Sequence, residues 1–190
     1  GSILVLETSR LVLRAPRLED ATMIAALAND RRIAENTARL PHPYAVADAE
    51  RFISSVELEG ELAFLITSRR GAVMGVAGIA KRDESVPELG YWLGSEFWGQ
   101  GYATEAVRAL IDYAFAELRH EALQAGARVT NPASRRVLEK CGFQWTGVGL
   151  YRIRALASSA PIDRFRLDRA IWVSLKSWGE TRQVPSRAFA

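Results

Sequence analysis

Two glycines, Gly99 and Gly101, constrain this chain more than any other feature. They sit in the run Phe97-Trp98-Gly99-Gln100-Gly101-Tyr102-Ala103-Thr104-Glu105-Ala106, and a long amphipathic helix begins directly after them. Without a Cβ, each can take backbone angles closed to other residues and let a ligand approach the main chain. The first turn of a helix carries N–H groups with no intrahelical acceptor, and the helix dipole adds partial positive charge there. Together these features predict a backbone cradle for a pyrophosphate. Val107, Leu110, Ile111, Ala114 and Leu118 recur at the three-and-four spacing of one buried face, which supports the helix. Taken alone, a G-x-G pair also describes a plain tight turn before a core helix.

A second local unit follows a strand expected over Ala122 to Val129. In Asn131-Pro132-Ala133-Ser134-Arg135-Arg136-Val137-Leu138-Glu139-Lys140-Cys141-Gly142-Phe143, Asn131 is placed to cap a helix and Pro132 to occupy its first position. Gly142 can end it in a left-handed conformation. Ala133, Val137, Leu138 and Cys141 supply the apolar side.

The order of these features resembles the GNAT superfamily of acetyl-CoA-dependent N-acetyltransferases. G-x-G-x-A opens a helix, and Asn-x-x-Ser and Gly-Phe follow. The likeness extends from about Thr8 to Trp172 and is strongest to the branch of ribosomal-protein N-terminal alanine and serine acetyltransferases. That branch is marked here by Thr8-Ser9-Arg10-Leu11-Val12-Leu13-Arg14, by Glu88-Leu89-Gly90-Tyr91-Trp92-Leu93 and by the two helix-opening motifs.

The resemblance implies a mixed α/β fold: a central, mostly antiparallel sheet flanked by helices and splayed between its fourth and fifth strands. The pantetheine arm of acetyl-CoA would lie in the splay against the main chain of Tyr91, Trp92 and Leu93, where one N–H serves as an oxyanion donor. The pyrophosphate would take N–H groups from Gly99, Gln100, Gly101, Tyr102, Ala103 and Thr104. Most of the superfamily has Gln or Arg where this chain has Trp98, so binding rests on the backbone. Glu88 is the candidate general base, on the premise of a partly desolvated carboxylate with a raised pKa, and a surface strand carboxylate is the competing reading. Glu35 is a weaker substitute. Many superfamily members protonate the departing thiolate with a tyrosine at the position of Leu138, so Ser134 is the candidate acid, with a purely local backbone role as its alternative. Asn131 would hold the pantetheine or thiol end, although capping alone explains it. Arg135 and Arg136 are candidates for the CoA 3′-phosphate, and Tyr151 and Trp172 for the acceptor border. The implied acceptor is an amine, on a protein N-terminus or a small molecule. A non-catalytic acyl-CoA sensor or scaffold stays open because of Leu138.

At 190 residues the chain is expected to form a single domain over 1–190. Gly1-Ser2 looks like a tag remnant, and Thr181 to Ala190 reads as a mobile tail. No apolar run approaches the roughly 20 residues of a membrane span. One cysteine, Cys141, fits a reducing, cytoplasmic setting and reads as a core residue. His42 and His120 lack ligand spacing, so no metal is expected. Net charge is +3, with residues 1–100 carrying 11 basic against 14 acidic side chains and residues 101–190 carrying 14 against 8. The basic half suits coenzyme A and the acidic half a cationic acceptor, unless these are only solvated faces. No aromatic-interleaved basic stripe points to nucleic acid. A monomer and a homodimer are both open.

The expected elements are strands at 10–14, 62–68, 72–81, 86–94 and 122–129, helices at 18–29, 48–58, from Gly101 and from Asn131, and a closing antiparallel pair at 143–154 and 162–174. Ala155 to Pro161 is expected as a surface loop. A Rossmann reading of Gly99-Gln100-Gly101 fails, because Ala103 is one residue short of the third small position and the chain lacks βαβ repetition.

Overall fold

The chain folds as β1 (Val5–Glu7), β2 (Leu11–Arg14), α1 (Ala21–Ala28), α2 (Arg31–Ala34), α3 (Val46–Glu59), β3 (Leu62–Ser68), β4 (Val73–Ala80), β5 (Glu88–Leu93), α4 (Tyr102–Ala116), β6 (Ala122–Arg128), α5 (Pro132–Lys140), β7 (Gln144–Ile153), β8 (Ser158–Asp168) and α6 (Arg169–Ala188). This computed structural model describes residues 4–59, 61–81 and 86–188, with side chains as far as Trp178 in α6. Gly1 and Ser2 lie outside the described residues.

One sheet runs through the molecule in the order β1-β2-β3-β4-β5-β6-β8-β7. Every neighbouring pair is antiparallel except β5 and β6, which are parallel and meet at a single position, Glu88 opposite Gln124. This is the mixed, mostly antiparallel α/β sheet expected, and the splay falls between the strands expected to carry it.

Helices cover both faces. Alternation along β5 sends Leu89 and Leu93 into one apolar layer, where Val107, Leu110, Ile111 and Phe115 of α4 and Leu138 of α5 are buried. The opposite layer holds Ile24 of α1, Ile53 of α3, Leu65 and Val76, with Trp92 packed on it. Each fully buried Leu, Ile or Phe contributes about 1.5–3 kcal/mol. The apolar spacing of α4 is as expected up to its end at Ala116; Leu118 lies beyond the helix and is exposed.

Two expectations are corrected. Ser158 to Pro161 belongs to β8 rather than to a loop. β6 ends opposite Ile162 and the Val129 N–H just beyond it donates to the Pro161 carbonyl at 3.3 Å, so the N–H that Pro161 lacks falls past the end of the β6 ladder. The last strand stops at Asp168, opposite Ala122, the first residue of β6. Beyond its partner's end the chain turns helical, and Trp172 packs on Phe115 with ring centroids 5.4 Å apart. The backbone is helical from Arg169 as far as Ala188.

Candidate active site

The splay is a gap with a defined set of free backbone groups. A strand residue offers its N–H and C=O to the same neighbour, and successive residues alternate sides. The Pro87 carbonyl accepts from the Gln124 N–H at 2.9 Å, and the Gly94 N–H donates to the Met74 carbonyl of β4 at 2.8 Å. Odd-numbered residues of β5 therefore face β6 and even-numbered ones face β4. Beyond Glu88 the gap is lined by the main chain of Tyr91 and Leu93. The main chain of Trp92 is turned to Val76 in β4, so it is not available for the contact expected of it. The Leu93 carbonyl is already taken by the Trp98 indole N–H at 2.9 Å, which leaves the amides of Tyr91 and Leu93 as the donors facing the gap.

α4 follows β5 and α5 follows β6, so both helix N-termini open at the same end of the splay. Gly99 and Gly101 take left-handed angles, φ 74° and 81°. The first helical bond of α4 runs from the Glu105 N–H to the Gly101 carbonyl at 3.1 Å, so the amides of Tyr102, Ala103 and Thr104 have no intrahelical acceptor. The loop is braced from outside. The Arg10 guanidinium donates to the Gln100 carbonyl at 2.9 Å and lies 4.3 Å from the Tyr102 ring centroid. It also pairs with Glu105 at 2.7 Å, and the Thr8 hydroxyl donates to the same carboxylate. Burial opposes charge on Glu105, but the hydrogen bonds from Thr8 and Arg10 outweigh it and hold the carboxyl below its usual range.

These elements enclose a cleft of about 660 Å³ lined by Tyr91, Trp92, Leu93, Gly99, Gly101, Tyr102, Ala103, Thr104, Asn131 and Ser134 among others. Gln100 does not line it; its side chain turns back to the Glu96 carbonyl at 3.1 Å. The charged residues lining the cleft are Arg32, Arg136 and Lys140; Arg32 is paired with Asp30 at 2.7 Å, whereas Arg136 and Lys140 have no ion pair among the described residues. Arg135 does not line the cleft and is held by Glu139 at 2.7 Å and Asp163 at 3.5 Å. Arg32 escaped the sequence reading because it sits on the four-residue α2, too short to leave a periodic signal. It stacks 4.9 Å from the centroid of Trp98, the residue that replaces the usual Gln or Arg. Backbone donors, the unpaired cations Arg136 and Lys140 and a free strand edge fit the pyrophosphate, the 3′-phosphate and the amide-bearing arm of coenzyme A.

A second cleft, of about 710 Å³, lies across the splay and shares Asn36, Thr37, Tyr91, Trp92 and Ser134 with the first. Glu88 lines it with its side chain 47% exposed and paired with Arg164 at 2.5 Å. The premise of a desolvated carboxylate is therefore not met. Arg164 reaches β5 by crossing over Gly126, where a Cβ would meet its Nη1 at 2.5 Å, and the Tyr151 ring lies 5.0 Å behind the guanidinium. Trp172 is remote from this cleft, with its indole bonded to Asp112 at 2.9 Å. Glu35 and His42 line neither cleft. The cleft takes Arg39, Arg128, Arg152, Arg164, Glu61 and Glu88 from both halves of the chain. The acidic sum over residues 1–100 therefore says nothing about it, because half-chain totals average over distant surface.

At the shared wall the Tyr91 hydroxyl and Ser134 Oγ are 2.7 Å apart. The Ser134 N–H is 3.3 Å from Asn131 Oδ1, so Asn131 caps α5 while facing the cofactor cleft. Burial, against the opposing hydrogen bond with Ser134, pushes the Tyr91 phenol up to about 12. The role of this hydroxyl was missed: β5 had been read only for its main chain, and the partner is distant in sequence. Leu138, where many relatives have a tyrosine, is fully buried in the core. Cys141 is buried too, and desolvation pushes its thiol up to about 11. No group of three or more His, Cys, Asp or Glu among the described residues could hold a metal. No helix among them is long and apolar enough to cross a membrane.

Two clefts with a common inner wall, one built for a phosphorylated carrier, define a group-transfer enzyme. Residues 10–144 match the acetyltransferase (GNAT) domain, and the chain belongs to that family. It is similar to an uncharacterized N-acetyltransferase p20 of Bacillus licheniformis, 32% identical over 149 residues covering 75% of this chain and 84% of that protein. Among solved structures, Mycobacterium smegmatis RimJ in complex with CoA-disulfide superposes with a TM-score of 0.75 at 20% identity, covering 87% of this chain and 86% of the other. Spermidine N-acetyltransferase from Vibrio cholerae, in complex with CoA and spermine, gives 0.75 at 21% identity, covering 87% and 99%. The chain is an acetyl-CoA-dependent N-acetyltransferase.

Proposed function

We propose that the chain acetylates a primary amine, on a protein N-terminus or a small molecule, by direct attack while both substrates are bound. The observation that carries this reading is the meeting of the two clefts at Tyr91, Trp92 and Ser134. Acetyl-CoA supplies an acetyl group activated as a thioester. Backbone amides at the start of α4, with Arg136 and Lys140, hold its phosphates. The Tyr91 N–H faces the gap and serves as oxyanion donor. The amine enters from the opposite cleft, its nitrogen bonds to the carbonyl carbon and the C–S bond breaks. Ser134 gives the departing sulfur a proton and recovers one from Tyr91, whose phenol is protonated at neutral pH and takes a proton back from water to close the cycle. The proton lost by the amine goes to Glu88. Tyr91 lies three residue steps along the strand from Glu88, about 10 Å at the usual rise, so this transfer runs through water.

The buried, protonated Cys141 thiol is consistent with direct attack. Initial rates over a matrix of acetyl-CoA and amine concentrations test the scheme. Intersecting reciprocal plots are expected. Parallel plots, the pattern of a covalent acetyl-enzyme, would refute direct attack. Full activity in Glu88→Gln would remove Glu88 from the scheme.

A further inference from the structure

We infer that the acceptor is an amine whose own molecule carries an anionic group, a carboxylate or a phosphate, and not a polycation. The inference rests on the acetyltransferase reading of the same site and concerns which amine the second cleft selects. Its charged lining is Arg39, Arg128, Arg152 and Arg164 against Glu61 and Glu88. Arg164 and Glu88 neutralise one another at 2.5 Å. Of the three remaining arginines, none has an ion pair among the described residues. Arg128 spends its Nη1 on an uncharged acceptor, the Glu35 carbonyl at 3.1 Å, and its Nε is buried with no hydrogen-bond partner. A buried guanidinium N–H without a partner is costly and points to an acceptor brought by a ligand.

The charges are also separated in space. Leu62 pairs with Ile79, and Ala80 pairs with Glu88, so Glu61 and Glu88 lie at the same end of the sheet. Gln124 is level with Glu88, so Arg128, four residues further along the parallel β6, is level with Trp92 beside the open splay. The loop over 35–40 is drawn to the same wall, its Glu35 carbonyl held by Arg128 and its Ala38 carbonyl by the Arg154 N–H at 3.0 Å. That wall carries Arg39 and Arg152. An amine seated at Tyr91 and Ser134 therefore has unpaired guanidinium groups next to it, in the geometry suited to carboxylate or phosphate. A second ammonium on the acceptor would face those same arginines.

The test is kcat/KM at saturating acetyl-CoA for matched acceptors: an α-amino acid against its carboxamide, phosphoethanolamine against ethanolamine, and spermidine. The anionic member of at least one pair is expected to exceed its neutral partner by tenfold or more. That advantage should shrink with added salt, and in Arg152→Gln and Arg39→Gln through a higher KM with kcat retained. Both side chains are exposed, so these variants should fold. The pair that shows the advantage identifies carboxylate or phosphate. Equal or better turnover of neutral amines or spermidine overturns the inference and leaves the acetyltransferase reading standing. If acetyl-CoA raises the melting temperature but no amine in the set is turned over, the inference falls with its anionic acceptors, and the acetyltransferase reading is left to peptide N-termini.

Discussion

Tyr91→Phe isolates one hydroxyl at the meeting point of the two clefts. The ring is retained, so packing against the α4 layer survives, and what is lost is the 2.7 Å contact with Ser134 Oγ. A single buried hydrogen bond is worth about 0.5–1.5 kcal/mol. At about 2–4 °C per kcal/mol for a domain of this size, Tm should fall by roughly 1–6 °C. Catalysis should lose more. With its pKa pushed up to about 12, the phenol at pH 8 is protonated over ionised by about ten-thousandfold, so it stands ready to resupply Ser134. Ser134→Ala removes the donor itself, and loss of general-acid assistance predicts a kcat drop of about 10²–10⁴. Tyr91→Phe leaves the serine but not its proton source, and about tenfold is expected. Because both act on one proton, adding Tyr91→Phe to Ser134→Ala should cost almost nothing further. Release of the CoA thiol at saturating substrates measures all four proteins. Multiplicative effects in the double variant, or kcat within twofold of the parent in both singles, would show that the pair only braces α5 against β5.

Three further expectations rest on separate features. Gly101→Ala puts a Cβ on a residue at φ 81°, which costs about 1–2 kcal/mol and tilts the cradle; KM for acetyl-CoA should rise several-fold with KM for the amine little changed, as steady-state kinetics will show. Cys141→Ser should keep kcat within about twofold, since the thiol pushed up to about 11 carries no acetyl group; loss of activity without loss of Tm would contradict direct attack. Asp20 pairs through both oxygens with Arg14, each at 2.9 Å, and that hydrogen-bonded pairing, against the cost of burial, holds its carboxyl below the ordinary 3.8. A lowered folded-state pKa adds stability at pH above the ordinary value and loses it as pH falls through the folded one. Asp20→Asn should therefore destabilise by about 1.5–3 kcal/mol at pH 7 and flatten the fall in Tm below pH 4.

Much of the fold was legible because its signals are local. Gly99 and Gly101 take the positive φ values that only glycine adopts readily, Asn131 caps α5, and Gly142 at φ 98° ends it. Where the reading failed, a partner strand decided the outcome. Pro161 looked like a loop residue, but β6 ends before it and the ladder tolerates it. Residues 169–174 looked extended, yet the strand beside them begins only at Ala122, so the chain leaves the sheet as a helix. β1, three residues long, exists through its pairing with β2 and has no periodicity of its own.

The site divides in the same way. Its cofactor half is a property of consecutive residues, because the left-handed turns, free amides and helix cap each depend on a few neighbours along the chain. The sequence alone therefore determined which backbone groups stand free at the start of α4, the groups proposed to hold a phosphate. The acceptor half is a property of distant ones. Tyr91 meets Ser134, Arg164 crosses Gly126 to reach Glu88, and Arg39, Arg128 and Arg152 gather on one wall only once the sheet has closed. Those pairings, and the charge they leave unbalanced, belong to the tertiary structure, because strand register and the single contact between β5 and β6 set them.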